Sequence, residues 1–127
     1  MPGVEKDPLT HEIIGAAIAV SKGTKVGLLE DAYERFLARE LHKRGLKVER
    51  QKAFPAEWDG YTVEVAYRAD LFVERKVIVE VKAVEKLIPV HEHQILTYMY
   101  FAKCETGLLL NFHAFPFAEK GIKRFKL

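Results

Sequence analysis

A single cysteine, Cys104, stands in the 127 residues, so no intramolecular disulfide can brace this chain and a reducing compartment suits it. Cys104 closes the apolar run Tyr98-Met99-Tyr100-Phe101-Ala102-Lys103-Cys104, which reads as a packed core thiol rather than a nucleophile. No apolar run approaches the roughly 20 residues that cross a bilayer, and Met1–Asp7 lacks the basic-then-apolar order of a secretory signal. A cytoplasmic protein with no membrane partner is expected. Repeats, low-complexity tracts and linkers are missing too. So are the dinucleotide fingerprint, the phosphate-binding loop and the Gly-x-Ser-x-Gly elbow. His91-Glu92-His93 is not the zinc-protease pattern, because Ile95 stands where the second histidine is needed.

Charge of one sign is also scarce. The formal net charge is only +2, so the molecule as a whole does not advertise a polyanion partner. Locally, seven basic residues (Arg35, Arg39, Lys43, Arg44, Lys47, Arg50, Lys52) face two acids (Glu40, Glu49), and Lys120, Lys123, Arg124 and Lys126 form a second cluster. These could track phosphates or be a solvated helix face with lysine-guarded strand edges; both readings stay open.

The composition, 49% hydrophobic and 30% charged, fits a soluble globular chain, and the length suits one domain over residues 1–127. Asp7-Pro8 or Thr10 can start a helix with an Ile13, Ile14, Ala17, Ile18 stripe that ends at Ser21-Lys22-Gly23-Thr24-Lys25. A second helix is expected from Gly27 to Gly45, with Leu29, Ala32, Tyr33, Phe36, Leu37 and Leu41 at spacings of three and four. Strands follow at Leu46–Phe54, Tyr61–Val73 and Val77–Ala83, with a turn signal at Trp58-Asp59-Gly60-Tyr61. Pro89 opens a helix through about Lys103, Gly107–Phe112 is an apolar strand, and Ile122–Phe125 can add an edge strand. The order α-α-β-β-β-α-β suits a mixed sheet flanked by helices.

Two carboxylates and a lysine interrupt the apolar strands: Asp70, then Glu80-Val81-Lys82. Alternation puts Asp70 on one face with Arg68 and Phe72, and Glu80 on one face with Ile78 and Lys82. A three-residue loop at Glu74-Arg75-Lys76 sets Val73 against Val77 and Asp70 against Glu80. A two-residue loop would oppose apolar to charged residues, so apolar pairing selects the register that joins the acids. Opposed like charges about 4.5–5.5 Å apart at Cβ are destabilising and call for an offset. A hard divalent cation such as Mg²⁺ or Mn²⁺ supplies it, with Lys82 orienting or deprotonating a water; an ordinary ion pair of Lys82 with either acid is the other reading. Glu30 and Tyr33 neighbour each other on the second helix, where Glu30 also suits a solvated first-turn acid. Gln94 and Tyr98 form an i, i+4 pair that could meet a phosphate or nucleobase, or could be an exposed amide beside a buried phenol.

In this order the motifs resemble a family. Gly27, Glu30 and Tyr33 match the name-giving pattern of the small GxxExxY proteins of the PD-(D/E)XK nuclease superfamily. Arg68-Ala69-Asp70 with Glu80-Val81-Lys82 looks like the nuclease signature, and Gln94-Ile95-Leu96-Thr97-Tyr98 is similar to the QxxxY element of RecB-like nucleases. The likeness runs from about Leu9 to Lys126. It departs at Ser21-Lys22-Gly23-Thr24-Lys25-Val26-Gly27, where the family usually reads His-x-x-Leu-Gly-Pro-Gly.

The resemblance implies a restriction-endonuclease-like αβββαβ core in the α/β class, with a mixed central sheet flanked by helices and an extra N-terminal helix. It implies Mg²⁺ or Mn²⁺ on Asp70 and Glu80, supported by Glu30, with Lys82 assisting the attacking water. Gln94, Tyr98 and Tyr33 are the expected substrate-binding residues. The implied activity is phosphodiester hydrolysis, with DNA the expected polymer. A catalytically silent module binding nucleic acid or protein is the alternative, and a phosphohydrolase of small esters a third. With little room for recognition elements, a homodimer or larger assembly is expected.

Overall fold

The computed structural model of the chain describes residues 7–127. The leader Met1–Lys6, part of the signal-sequence reading, lies outside them. Asp7 caps α1 (Pro8–Thr24), its Oδ1 accepting from the Leu9 N–H at 3.1 Å while Pro8 takes a position whose N–H needs no partner. The helix runs to Thr24 instead of breaking at Ser21, because Thr24 Oγ1 donates to the Val20 carbonyl at 2.7 Å and the left-handed stop falls on Lys25 (φ 65°). α2 (Glu30–Lys43) starts three residues after Gly27, which turns at φ 119°, and ends before Gly45 at φ 85°.

β1 (Val48–Trp58) is longer than its polarity suggested and pairs with β2 (Tyr61–Val73) through a two-residue turn. Asp59 and Gly60 both take positive φ there, as such a hairpin requires. β2 returns through Glu74-Arg75-Lys76 into β3 (Val77–Lys82), with Val73 against Val77 and Leu71 against Val79, the expected register. α3 (Pro89–Ala102) crosses over to β4 (Thr106–Asn111), which pairs with β3 in parallel. A one-turn α4 (Phe117–Lys120), absent from the sequence reading, precedes β5 (Ile122–Lys126). The sheet order is β1-β2-β3-β4-β5, mixed because β3 and β4 alone run parallel.

Helices cover both faces of the sheet. Ile13, Ala17, Tyr33, Leu37 and Leu41 from α1 and α2 pack on Leu71, Val73, Val79, Val81, Leu108 and Leu110. Ile95 and Met99 of α3 pack on the opposite face, against Phe72, Ile78 and Leu109. β3 and β4 are buried on both sides, which explains their unbroken apolar runs. Gly107 lets α3 approach: a Cβ there would lie 2.5 Å from Met99 Sδ and 3.1 Å from Ile95 Cδ1. Cys104 is buried, its thiol donating to the Lys76 carbonyl at 3.0 Å, as a core thiol should. No helix among the described residues is long and apolar enough to cross a membrane.

Candidate active site

The β2–β3 ladder stops at Leu71–Val79, one step short of the two acids. There the strands exchange carboxylates instead of carbonyls. The Asp70 N–H donates to Glu80 Oε2 at 2.8 Å, and the Val81 N–H donates to Asp70 Oδ2 at 2.8 Å. Each acid is thus fixed by the other's strand, which sets their side chains together.

The other edge of β2 is disturbed at the same level. Arg50 pairs with Leu71 and Lys52 with Ala69, but Gln51, between them, has φ 51°. A left-handed non-glycine residue costs about 1–2 kcal/mol. The faces of both strands change phase at this level. Phe72 packs on the α3 side and Leu71 on the α1/α2 side, yet Ala69 and Tyr67 belong to the α3 side, an odd spacing from Phe72. In β1, Val48 packs on the α1/α2 side and Phe54 on the α3 side, although strict alternation would align them. Asp70 therefore does not share a face with both Arg68 and Phe72, because the alternation reverses at Asp70 itself.

Electrostatics follow from this placement. Glu80 is 3% exposed, and burial followed by the negative charge of Asp70 pushes its carboxyl up to about 8. Burial also raises Asp70, with the Val81 N–H, Gln51 and Lys82 pulling the other way. A third carboxyl, Glu34 on α2, is buried, and burial raises it as well. Gln51 Nε2 donates to both Glu34 oxygens, at 3.0 and 3.1 Å, and lies 3.2 Å from Asp70 Oδ1. Arg50 Nη2 stands 3.1 Å from Glu34 Oε2. Glu34 and Gln51 were missed from sequence. Glu34 carried a signal, one helical turn after Glu30 on an otherwise apolar face; Gln51 carried none.

The remaining candidates divide. Lys82 Nζ stands 3.4 Å from Gln94 Oε1, joining β3 to α3 on the same side as Glu80. Glu30 reaches the end of β3 from α2, its Oε2 accepting from the Ala83 N–H at 3.3 Å. Tyr98 stacks on Tyr67 with ring centroids 4.3 Å apart, and the Tyr67 hydroxyl donates to the Tyr98 carbonyl at 2.8 Å. Burial and the charges of Glu80 and Asp70 raise the Tyr98 phenol, as fits a ring beside the acids.

Tyr33 is a correction to the substrate-binding set. It is fully buried, stacked on Phe112 at 4.8 Å, and its hydroxyl donates to the Lys25 carbonyl at 2.6 Å while accepting from the Leu28 N–H at 3.1 Å. Both hydroxyl directions are used, so Tyr33 pins the loop ahead of Glu30 and offers nothing to a substrate. His113 helps, with Nε2 2.9 Å from the Leu28 carbonyl oxygen. His91 Nδ1 accepts from the Ile88 N–H at 3.1 Å and caps α3.

The basic run from Arg35 to Lys52 is largely matched by acids. Arg35 pairs with Asp31 at 2.7 Å, Arg44 with Glu40 and Glu12 at 3.0 Å, Lys43 with Glu40 at 3.7 Å and Lys52 with Glu49 at 3.8 Å. Lys123 pairs with Glu92 at 2.7 Å. A solvated, internally paired face accounts for these charges.

The donor set is all carboxylate oxygen, the choice of a hard divalent cation. Among the described residues no three acid, histidine or cysteine side chains are gathered into a ready-made metal cage. Two mutually destabilised carboxyls on adjacent strands, with Glu30 at the same end of β3, nevertheless fit such an ion, since its charge would offset both burial and repulsion. A family model described as the PD-(D/E)XK nuclease superfamily matches residues 7–125. The chain belongs to the PD-(D/E)XK nuclease superfamily. Neither the curated proteins nor the solved structures give a match to it. Superfamily membership explains the sheet with its acids on neighbouring strands, which is the frame expected of a restriction-endonuclease-like fold.

Proposed function

We propose that the protein is a divalent-metal-dependent nuclease whose Asp70, Glu80 and Lys82 cleave phosphodiester bonds, with DNA as the polymer. The observation that carries this reading is the reciprocal carboxylate pair: Asp70 and Glu80 each accept a backbone N–H from the other's strand, in a position that raises both. Such a pair destabilises the fold unless a cation is to be held there. Asp70 and Glu80 would hold Mg²⁺ or Mn²⁺, with Glu30 supporting it from α2. When bound, the ion supplies charge to offset that developing on the phosphate and lowers the pKa of water.

The side chains have separate work. Lys82, steadied by Gln94, presents an ammonium beside the two acids, where it can orient the attacking water and offset charge developing on the phosphate. Gln94 also limits how Lys82 swings. Tyr98, held against Tyr67, gives the cleft an aromatic wall with a hydroxyl edge suited to a sugar or phosphate oxygen. The Lys25–Leu28 segment, tied by Tyr33 and His113, keeps Glu30 aimed at the end of β3.

The test joins binding to turnover. Mn²⁺ titration calorimetry on the parent and Asp70→Ala is run beside cleavage of plasmid, linear duplex, single-stranded DNA and RNA. Binding lost in Asp70→Ala, together with metal-dependent cleavage lost in Asp70→Ala and Lys82→Ala, supports the nuclease and names its polymer. Unchanged cleavage in both variants overturns the assigned site.

A further inference from the structure

We propose that Gln51 is a positioning residue for the nuclease site, holding the Asp70 carboxylate in place and anchored in turn by the Glu34–Arg50 pair. The inference rests on the nuclease reading for its catalytic consequence but on geometry alone for the positioning. One amide nitrogen meets three carboxylate oxygens at 3.0, 3.1 and 3.2 Å, two from Glu34 and one from Asp70. Its two hydrogens therefore bridge the helix acid to the strand acid. Asp70 has only one other described donor, the Val81 N–H on Oδ2, which fixes one oxygen and leaves the carboxylate free to turn about it. Gln51 on Oδ1 removes that freedom.

Two independent features mark this arrangement as more than surface chemistry. Gln51 adopts φ 51° in the middle of a strand, opposite Asp70 between the Arg50–Leu71 and Lys52–Ala69 pairs, a backbone that non-glycine residues adopt rarely. Glu34, its anchor, is a buried carboxylate met by Arg50, whose own Nε is buried without a partner. Packing requires neither. Gln51 itself is exposed, so its amide is held at the rim of the cleft by the two acids and not by burial.

The left-handed backbone supplies a clean variant. Gln51→Gly suits φ 51° without strain and removes the bridge, and combining it with Glu34→Leu removes the anchoring acid as well, leaving Arg50 with Asp31. The experiment compares parent, Gln51→Gly and Gln51→Gly/Glu34→Leu by thermal melting, Mn²⁺ calorimetry, kcat and KM on the cleaved polymer, and a crystal structure of the double variant. The expected result is a melting temperature held in the double variant, Asp70 rotated or in several rotamers, Mn²⁺ affinity down about tenfold, and kcat reduced with KM unchanged. Gln51→Asn, which keeps the amide and tolerates the backbone but falls one methylene short, should not rescue. Asp70 in its parental rotamer with parental Mn²⁺ affinity in the double variant overturns the proposal. If the parent neither binds Mn²⁺ nor cleaves, the nuclease reading falls by itself and the Asp70 rotamer alone decides the positioning role.

Discussion

Raising the pH should weaken the metal-free protein, and Glu80 is the reason. Its carboxyl sits near 8 in the folded chain against an ordinary value of 4.5, so between these limits the folded state keeps a proton that the unfolded state has released. A raised acid contributes stability that is complete below pH 4.5 and is lost as pH climbs through about 8. Each unit of that window is worth about 1.4 kcal/mol, which sets a ceiling of about 5 kcal/mol; water reaching the ionised pair reduces the fall to about 2–3 kcal/mol. For a domain of this size that is about 10 °C in melting temperature. The lowered carboxyls, Asp7 and Glu40, act in the opposite sense and below this window, so they do not mask it. Urea denaturation between pH 5 and 9 in EDTA should show the parent weakening steadily. Glu80→Gln keeps an acceptor for the Asp70 N–H but cannot ionise, so its profile should fall less steeply, with the raised Asp70 and Glu34 accounting for what remains, and cross above the parent near neutrality. Mn²⁺ at 100 times its dissociation constant should restore about 2.7 kcal/mol to the parent at pH 8 and far less to the variant. A parent profile no steeper than the variant's would refute the reasoning, since Glu80 would then ionise without cost.

Three further outcomes follow from the same contacts. Asp70→Ala should abolish cleavage while raising stability in EDTA at pH 8 by about 1 kcal/mol, because it removes the charge that opposes Glu80 ionisation; calorimetric unfolding checks the sign. Tyr33→Phe strands the Lys25 carbonyl and the Leu28 N–H, so urea denaturation should show a loss of about 1–3 kcal/mol, with substrate KM unchanged because the buried hydroxyl is bonded within the Lys25–Leu28 loop. Gly107→Ala forces a methyl into Met99 and Ile95 and should cost about 1–3 kcal/mol; because α3 carries Gln94 and Tyr98, cleavage should fall further than the stability loss accounts for.

The parts of this molecule that obey local rules were legible in its residues. Apolar pairing of Val73 with Val77 selects the hairpin register, and that register is present. Asp59-Gly60 marks a two-residue turn, and Pro89 opens α3. Glycine signals were read one step too literally. Gly27 turns the chain before α2 but does not begin it, and Gly23 does not end α1 because a solvated Gly within the last turn costs only about 1 kcal/mol. Tyr33 was recognised as a motif residue, but its helical position also lies on the buried stripe with Leu37 and Leu41, and burial decided its role.

What escaped the sequence is concentrated around Asp70, and the physics of the strand explains why. Alternation is a rule about regular φ and ψ, and it fails on both strands at the level of Gln51 and Asp70. Gly or Asn at position 51 would have advertised such a residue; Gln does not, since it seldom adopts that conformation without a partner holding it. The partner is Glu34, seventeen residues away on α2, and its one signal, a place a helical turn after Glu30, did not point to position 51. Each residue is thus unfavourable where it stands and explicable only through the other. Sites that violate local preference in this mutual way are where function is expected to override foldability, and here the violation falls on the strands beside the acid pair, with the amide that bridges Glu34 to Asp70 at its centre.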